Sequence, residues 1–81
     1  MAHMEKVVKL ENIEYLTDGN GAISLGRFGP ARCAAVAPDF DQGLAMLVRR
    51  PGESLLELLQ RLDAAIEDAY ERDIYADEIN T

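Results

Sequence analysis

An 81-residue chain with a single cysteine has room for one domain, and it cannot form an internal disulfide or a cysteine-based zinc site. A hydrophobic share of 48% with 28% charged residues belongs to a folded globular domain rather than a disordered one. The formal net charge of −7 is the opposite of what phosphate recognition needs, so direct nucleic-acid binding is not expected, and no apolar run approaches the ~20 residues that span a membrane.

Met1-Ala2-His3 ahead of Met4 reads as an expression remnant, which makes the one histidine foreign to the natural chain. No apolar leader follows, and with one unpaired cysteine this points to a reducing, cytoplasmic setting. Residues 5–16 are ambiguous. Val7, Leu10, Ile13 and Leu16 recur every third position as on a short helix, while Val7-Val8 and Ile13-Glu14-Tyr15 suit a strand equally. Asp18-Gly19-Asn20-Gly21 is a strong turn signal, Ala22–Phe28 reads as an edge strand, and Gly29-Pro30 ends it.

Two unbroken apolar runs follow, Cys33–Ala37 and Leu44–Val48, each short enough for a buried strand. The turn-rich segment from Pro38 to Gly43 between them predicts an antiparallel hairpin. Pro51-Gly52 stops the second strand, and Ser54-Leu55-Leu56-Glu57 has the spacing of a helix capping box. From there Leu55, Leu58, Leu59, Leu62, Ala65, Ile66 and Ala69 make one apolar helical face, predicting a helix over about 54–73. Glu57–Arg61 and Asp68–Arg72 have the spacing of i,i+4 ion pairs. The tail from Ile74 mixes Ile74, Tyr75 and Ile79 with acids, and is expected either to fold back on the sheet or to dock on a second chain.

The predicted fold is α+β. A three- or four-stranded antiparallel sheet carries one amphipathic C-terminal helix on one face, within one domain over residues 1–81. Cores of this size rarely supply more than about 3–5 kcal/mol without a staple. A single helix would leave the other face of the sheet bare, so a homodimer that covers it is expected.

The charge is uneven. Residues 1–52 carry six acids and six bases, whereas residues 53–81 carry nine acids against Arg61 and Arg72 alone. Asp63, Glu67 and Glu71 fall at successive i,i+4 positions and build an acidic stripe on the helix. With Tyr75 and Ile79 of the tail, they are the candidate residues for engaging a protein partner. A second candidate site is an anion cradle: Arg49 and Arg50 beside Gly52 and Ser54, just ahead of a helix N-terminus. Its plainer reading is a solubilised strand end paired with local acids.

No catalytic apparatus is legible. The histidine is not native, Cys33 lies in an apolar run where a thiol is inert packing, and Gly19-Asn20-Gly21 lacks the lysine of a phosphate loop. No cofactor, metal or membrane partner is expected.

LAMLVRRPGESLLELLQRLDAAI over residues 44–66, with the closing Asp77-Glu78-Ile79-Asn80, resembles the tail of a group of short uncharacterised proteobacterial proteins. These belong to phages, plasmids and other mobile DNA. The resemblance covers a little under half of the chain and leaves residues 1–30 unmatched. It implies a bacterial, mobile-element context and no activity. The expectation is therefore a non-catalytic interaction protein that binds a protein partner through its acidic helix and tail, with a host-directed inhibitor mimicking DNA charge as one specific form. The rivals are a small anion-binding module and a structural oligomer subunit.

Overall fold

The structure, a computed structural model, describes residues 9–19, 21–29, 31–38 and 43–79. The chain runs α1 (Glu11–Asp18), β1 (Ser24–Phe28), β2 (Ala31–Pro38), β3 (Gly43–Val48), α2 (Leu55–Arg72) and β4 (Ala76–Asp77). The strands form one sheet in the order β1-β2-β3-β4, an α+β arrangement with α2 packed on the sheet. Among the described residues no helix is long and apolar enough to cross a membrane.

The capping box forms as the spacing requires. Ser54 takes extended backbone, its Oγ accepts from the Glu57 N–H at 3.0 Å, and Glu57 returns a carboxylate to the Ser54 N–H at 2.8 Å. Asp73 closes the far end in the left-handed conformation, φ 55. The apolar face of α2 then buries Leu58, Leu62, Ile66 and Ala69, while Leu55 at its first turn stays exposed. The sheet meets this face with small side chains. Ala35 and Ala37 of β2 and Ala45 of β3 are fully buried beside Leu47, so the leucines of α2 sit close against the backbone of the sheet.

The β2–β3 hairpin pairs antiparallel with Ala35 opposite Leu47 and Ala37 opposite Ala45. Its connecting residues 39–42 lie outside the described residues. The register slips between Ala37 and Pro38, which opposes Gly43, so Leu44 is an extra residue in β3. That bulge delivers Leu44, 2% exposed, to the core. β1 pairs antiparallel with β2 at the sheet edge as expected.

The sheet is mixed, because β4 runs parallel to β3, with Ala76 opposite Ala45 and Asp77 opposite Met46. The reason is topological: α2 carries the chain back along the sheet, so a strand that follows it and joins β3 must run the same way. The tail thus folds back on its own sheet.

The ambiguous N-terminal segment is a helix over Glu11–Asp18, with Ile13 and Leu16 buried, while residues 5–8 lie outside the described residues. Gly21 ends this turn in close quarters. Its N–H donates to the Leu16 carbonyl at 2.9 Å, and a Cβ there would stand 2.8 Å from that same oxygen.

The second face of the sheet is less bare than expected. Val36, Met46 and Val48 are half-buried and Ala34 is fully buried. Among the described residues the exposed large apolar side chains lie elsewhere: Tyr15 on α1, Leu55, Leu56 and Tyr70 on α2, Ile74 and Tyr75 just beyond it, and Leu25 on β1.

Candidate protein-interaction surface

The β3–α2 junction is built by Arg50-Pro51-Gly52-Glu53. Glu53 N–H donates to the Arg50 carbonyl at 3.0 Å and Gly52 holds φ +80, the geometry of a turn with proline second and glycine third. The turn aims Glu53 inward. Its carboxylate accepts from the Arg50 N–H at 2.9 Å and takes both Nε and Nη2 of Arg61, at 2.6 and 3.0 Å. The Arg61 guanidinium, followed by the Arg50 backbone N–H, holds the Glu53 carboxyl down to about 2, well below its usual range. In return, Glu53 raises the pKa of Arg61, which stays charged throughout.

The residues of the expected anion cradle are therefore engaged by the chain itself. Arg49 Nε donates to the Glu53 carbonyl at 2.8 Å, and Arg50 Nη2 stands 3.7 Å from Glu78. The N–H groups of Ser54 and Glu57 are spent on the capping box, and Gly52 serves the turn. Two carboxylates, Glu53 and Glu57, already occupy the positive end of α2.

Arg61 is the hub that local spacing misassigned. Glu57 is committed to the cap, so Arg61 reaches Glu53, the Val48 carbonyl at 2.9 Å and Glu78 at 3.1 Å. One side chain thus joins the turn, β3 and the C-terminal segment. The other expected pair forms as spaced, Arg72 to Asp68 at 2.6 Å.

The acidic stripe divides. Asp63 points at α1, where Oδ1 accepts from the backbone N–H of Asn12 at 2.8 Å and of Ile13 at 2.9 Å, and Oδ2 takes the Asn12 side-chain amide at 3.1 Å. Leu10 gives α1 no side-chain cap, so a carboxylate from α2 supplies one. Glu67 follows with a 3.3 Å bond from the Asn12 amide, and Glu71 is exposed. In the tail, Tyr75 is 41% exposed with its hydroxyl 3.3 Å from Asp73 Oδ1, and Ile79 is half-buried with its N–H on Asp77 Oδ1.

Docking α1 on α2 creates a surface that neither helix has alone. Asn12 lies at Asp63 and Glu67 and Tyr15 at Tyr70, so the helices run in the same direction. The two tyrosine rings meet edge to face, 6.1 Å apart at 88°, with Tyr15 72% and Tyr70 47% exposed. Glu11, Glu14 and Asp18 share the outer face of α1 with Tyr15, and Glu71 is exposed beside Tyr70. Tyr15 and Tyr70 were not singled out together from the sequence, since 55 positions separate them.

Comparison with protein families, with curated proteins and with solved structures gives no match, so the reading of function rests on this geometry.

Proposed function

We propose that the protein is a non-catalytic interaction module that docks a basic protein surface on the outer faces of α1 and α2. The exposed, mutually packed Tyr15–Tyr70 pair inside a rim of carboxylates is the observation that carries this reading. Tyrosine offers a large contact area at little conformational cost and concentrates at binding hot spots. Edge-to-face packing orders the two rings before a partner arrives, which lowers the entropy lost on binding. The carboxylates steer a cationic partner and supply charge-assisted bonds, while the ring faces accept an arginine guanidinium. The acidic helix keeps its proposed role with a changed membership: Glu71 remains outward, Asp63 is an internal cap, and α1 contributes the rest of the rim.

The test is affinity capture from a bacterial lysate using the parent chain and the Tyr15→Ala and Glu14→Arg variants. A partner that uses this face is held by the parent and lost by both variants. A protein retained equally by all three chains refutes the reading for that partner.

A further inference from the structure

The C-terminal segment is strapped to the outer edge of β3. Ala76 and Asp77 pair with Ala45 and Met46, and the Glu78 N–H donates to the Met46 carbonyl at 2.8 Å. Among the described residues backbone pairing ends there, and side chains finish the edge. The Val48 N–H donates to Glu78 Oε1 at 2.9 Å, and the Val48 carbonyl accepts from Arg61 at 2.9 Å. Arg61 and Glu78 are themselves paired at 3.1 Å, so an ion pair fills the place of the next peptide unit of a strand. The strap leaves α2 through Asp73, whose left-handed φ of 55 is a conformation that costs an L-residue what it does not cost glycine. The path beyond this hinge leaves Ile74 54% and Tyr75 41% exposed.

We infer that this strap exchanges between two copies of the chain. In the exchanged pair α2 continues through Asp73, and residues 74–79 of each copy lie on β3 of the other. The contacts to Met46, Val48 and Arg61 are reproduced across the pair, because the receiving edge is identical in both copies. The strap's bonds to β3 and Arg61 are kept, while the Asp73 and Ile74 N–H groups leave the Asp68 carbonyl for the next helical carbonyls. Two left-handed hinges are released, and Ile74 and Tyr75 of one copy come beside those of its mate. A short strained hinge is a recognised setting for such exchange. This rests on the homodimer expected from the thin core, and it stands apart from the α1–α2 docking face.

Disulfide trapping tests it. The full chain carrying Cys33→Ser, Met46→Cys and Asp77→Cys places thiols at opposed register positions of β3 and β4. Light scattering on the reduced chain gives its oligomeric state, and mass spectrometry after oxidation reads the linkage. Exchange gives a dimer that becomes covalently linked. A dimer that oxidises only to internally closed single chains overturns exchange and leaves the homodimer standing, and a chain that stays monomeric overturns both. If this variant misfolds by circular dichroism, Ala45→Cys with Ala76→Cys in the same Cys33→Ser background uses the neighbouring register pair. Separately, Asp73→Gly removes the penalty of both hinges in the closed form and should raise the dimer dissociation constant about thirtyfold. An unchanged constant overturns the part assigned to the hinge.

Discussion

Asp63→Ala removes one carboxylate from α2 and with it the N-terminal cap of α1. Three bonds go: two from the backbone N–H groups of Asn12 and Ile13, and one from the Asn12 amide. Loss of a side-chain cap costs about 0.5–2 kcal/mol, and a hydrogen bond to a charged group is worth about 1.5–3 kcal/mol. These contributions overlap, and water can reach the part-buried site in the variant, so the expected loss is about 2 kcal/mol in all. A helix of eight residues is not stable alone, so weakening its cap also loosens Ile13 and Leu16 from the core. Against a total near 5 kcal/mol, typical of the low end for small domains, that is a large fraction. Denaturant unfolding measures the loss, and hydrogen exchange over residues 11–18 locates it. Asp63→Asn keeps one acceptor oxygen and should lose about half as much. An Asp63→Ala chain with the parent's midpoint and unchanged protection in α1 would refute the reasoning, leaving α1 held by its apolar face alone.

Leu62→Ala empties a fully buried site between α2 and the sheet and should cost about 2–4 kcal/mol in a denaturant melt; a parent-like midpoint would mean that the helix face is misassigned. Gly21→Ala drives a methyl group against the Leu16 carbonyl and should lower the melting temperature clearly, whereas an unchanged melt would show that the turn relaxes at no cost. The folded pKa of Glu53, about 2, lies below its usual 4.5, so its contribution is complete above about pH 4.5 and fades as the pH falls through 2. Glu53→Gln should therefore be less stable than the parent at neutral pH, with the gap closing between pH 4.5 and 2; a gap that does not change with pH would remove Glu53 from the acid response.

What was legible in the sequence was whatever is decided locally. The capping box at Ser54 and Glu57, the apolar face from Leu58 to Ala69, the Pro51-Gly52 turn and the antiparallel pairing of the two apolar runs each depend on residues a few positions apart. The parts that were not legible depend on distant partners. α1 borrows its cap from Asp63, 51 positions away, so the helix and strand patterns of residues 5–16 could not be separated locally. Arg61 had Glu57 at ideal spacing, but the cap claims Glu57, and the fold brings up Glu53 and Glu78 instead. β4 pairs at only two residues and finishes with a side chain, which leaves no strand-like periodicity to read. The acidic stripe was correctly spaced for one helical face, yet that face borders α1, and this turns Asp63 from a contact for partners into an internal cap.

The docking face is tested most directly by hydrogen exchange on the chain with and without a captured partner. Protection is expected over α1 and the C-terminal turns of α2 around Tyr70 and Glu71, with the β1–β2 hairpin unchanged. Protection confined to that hairpin or to the Arg50–Glu53 turn, with α1 unaffected, would contradict it.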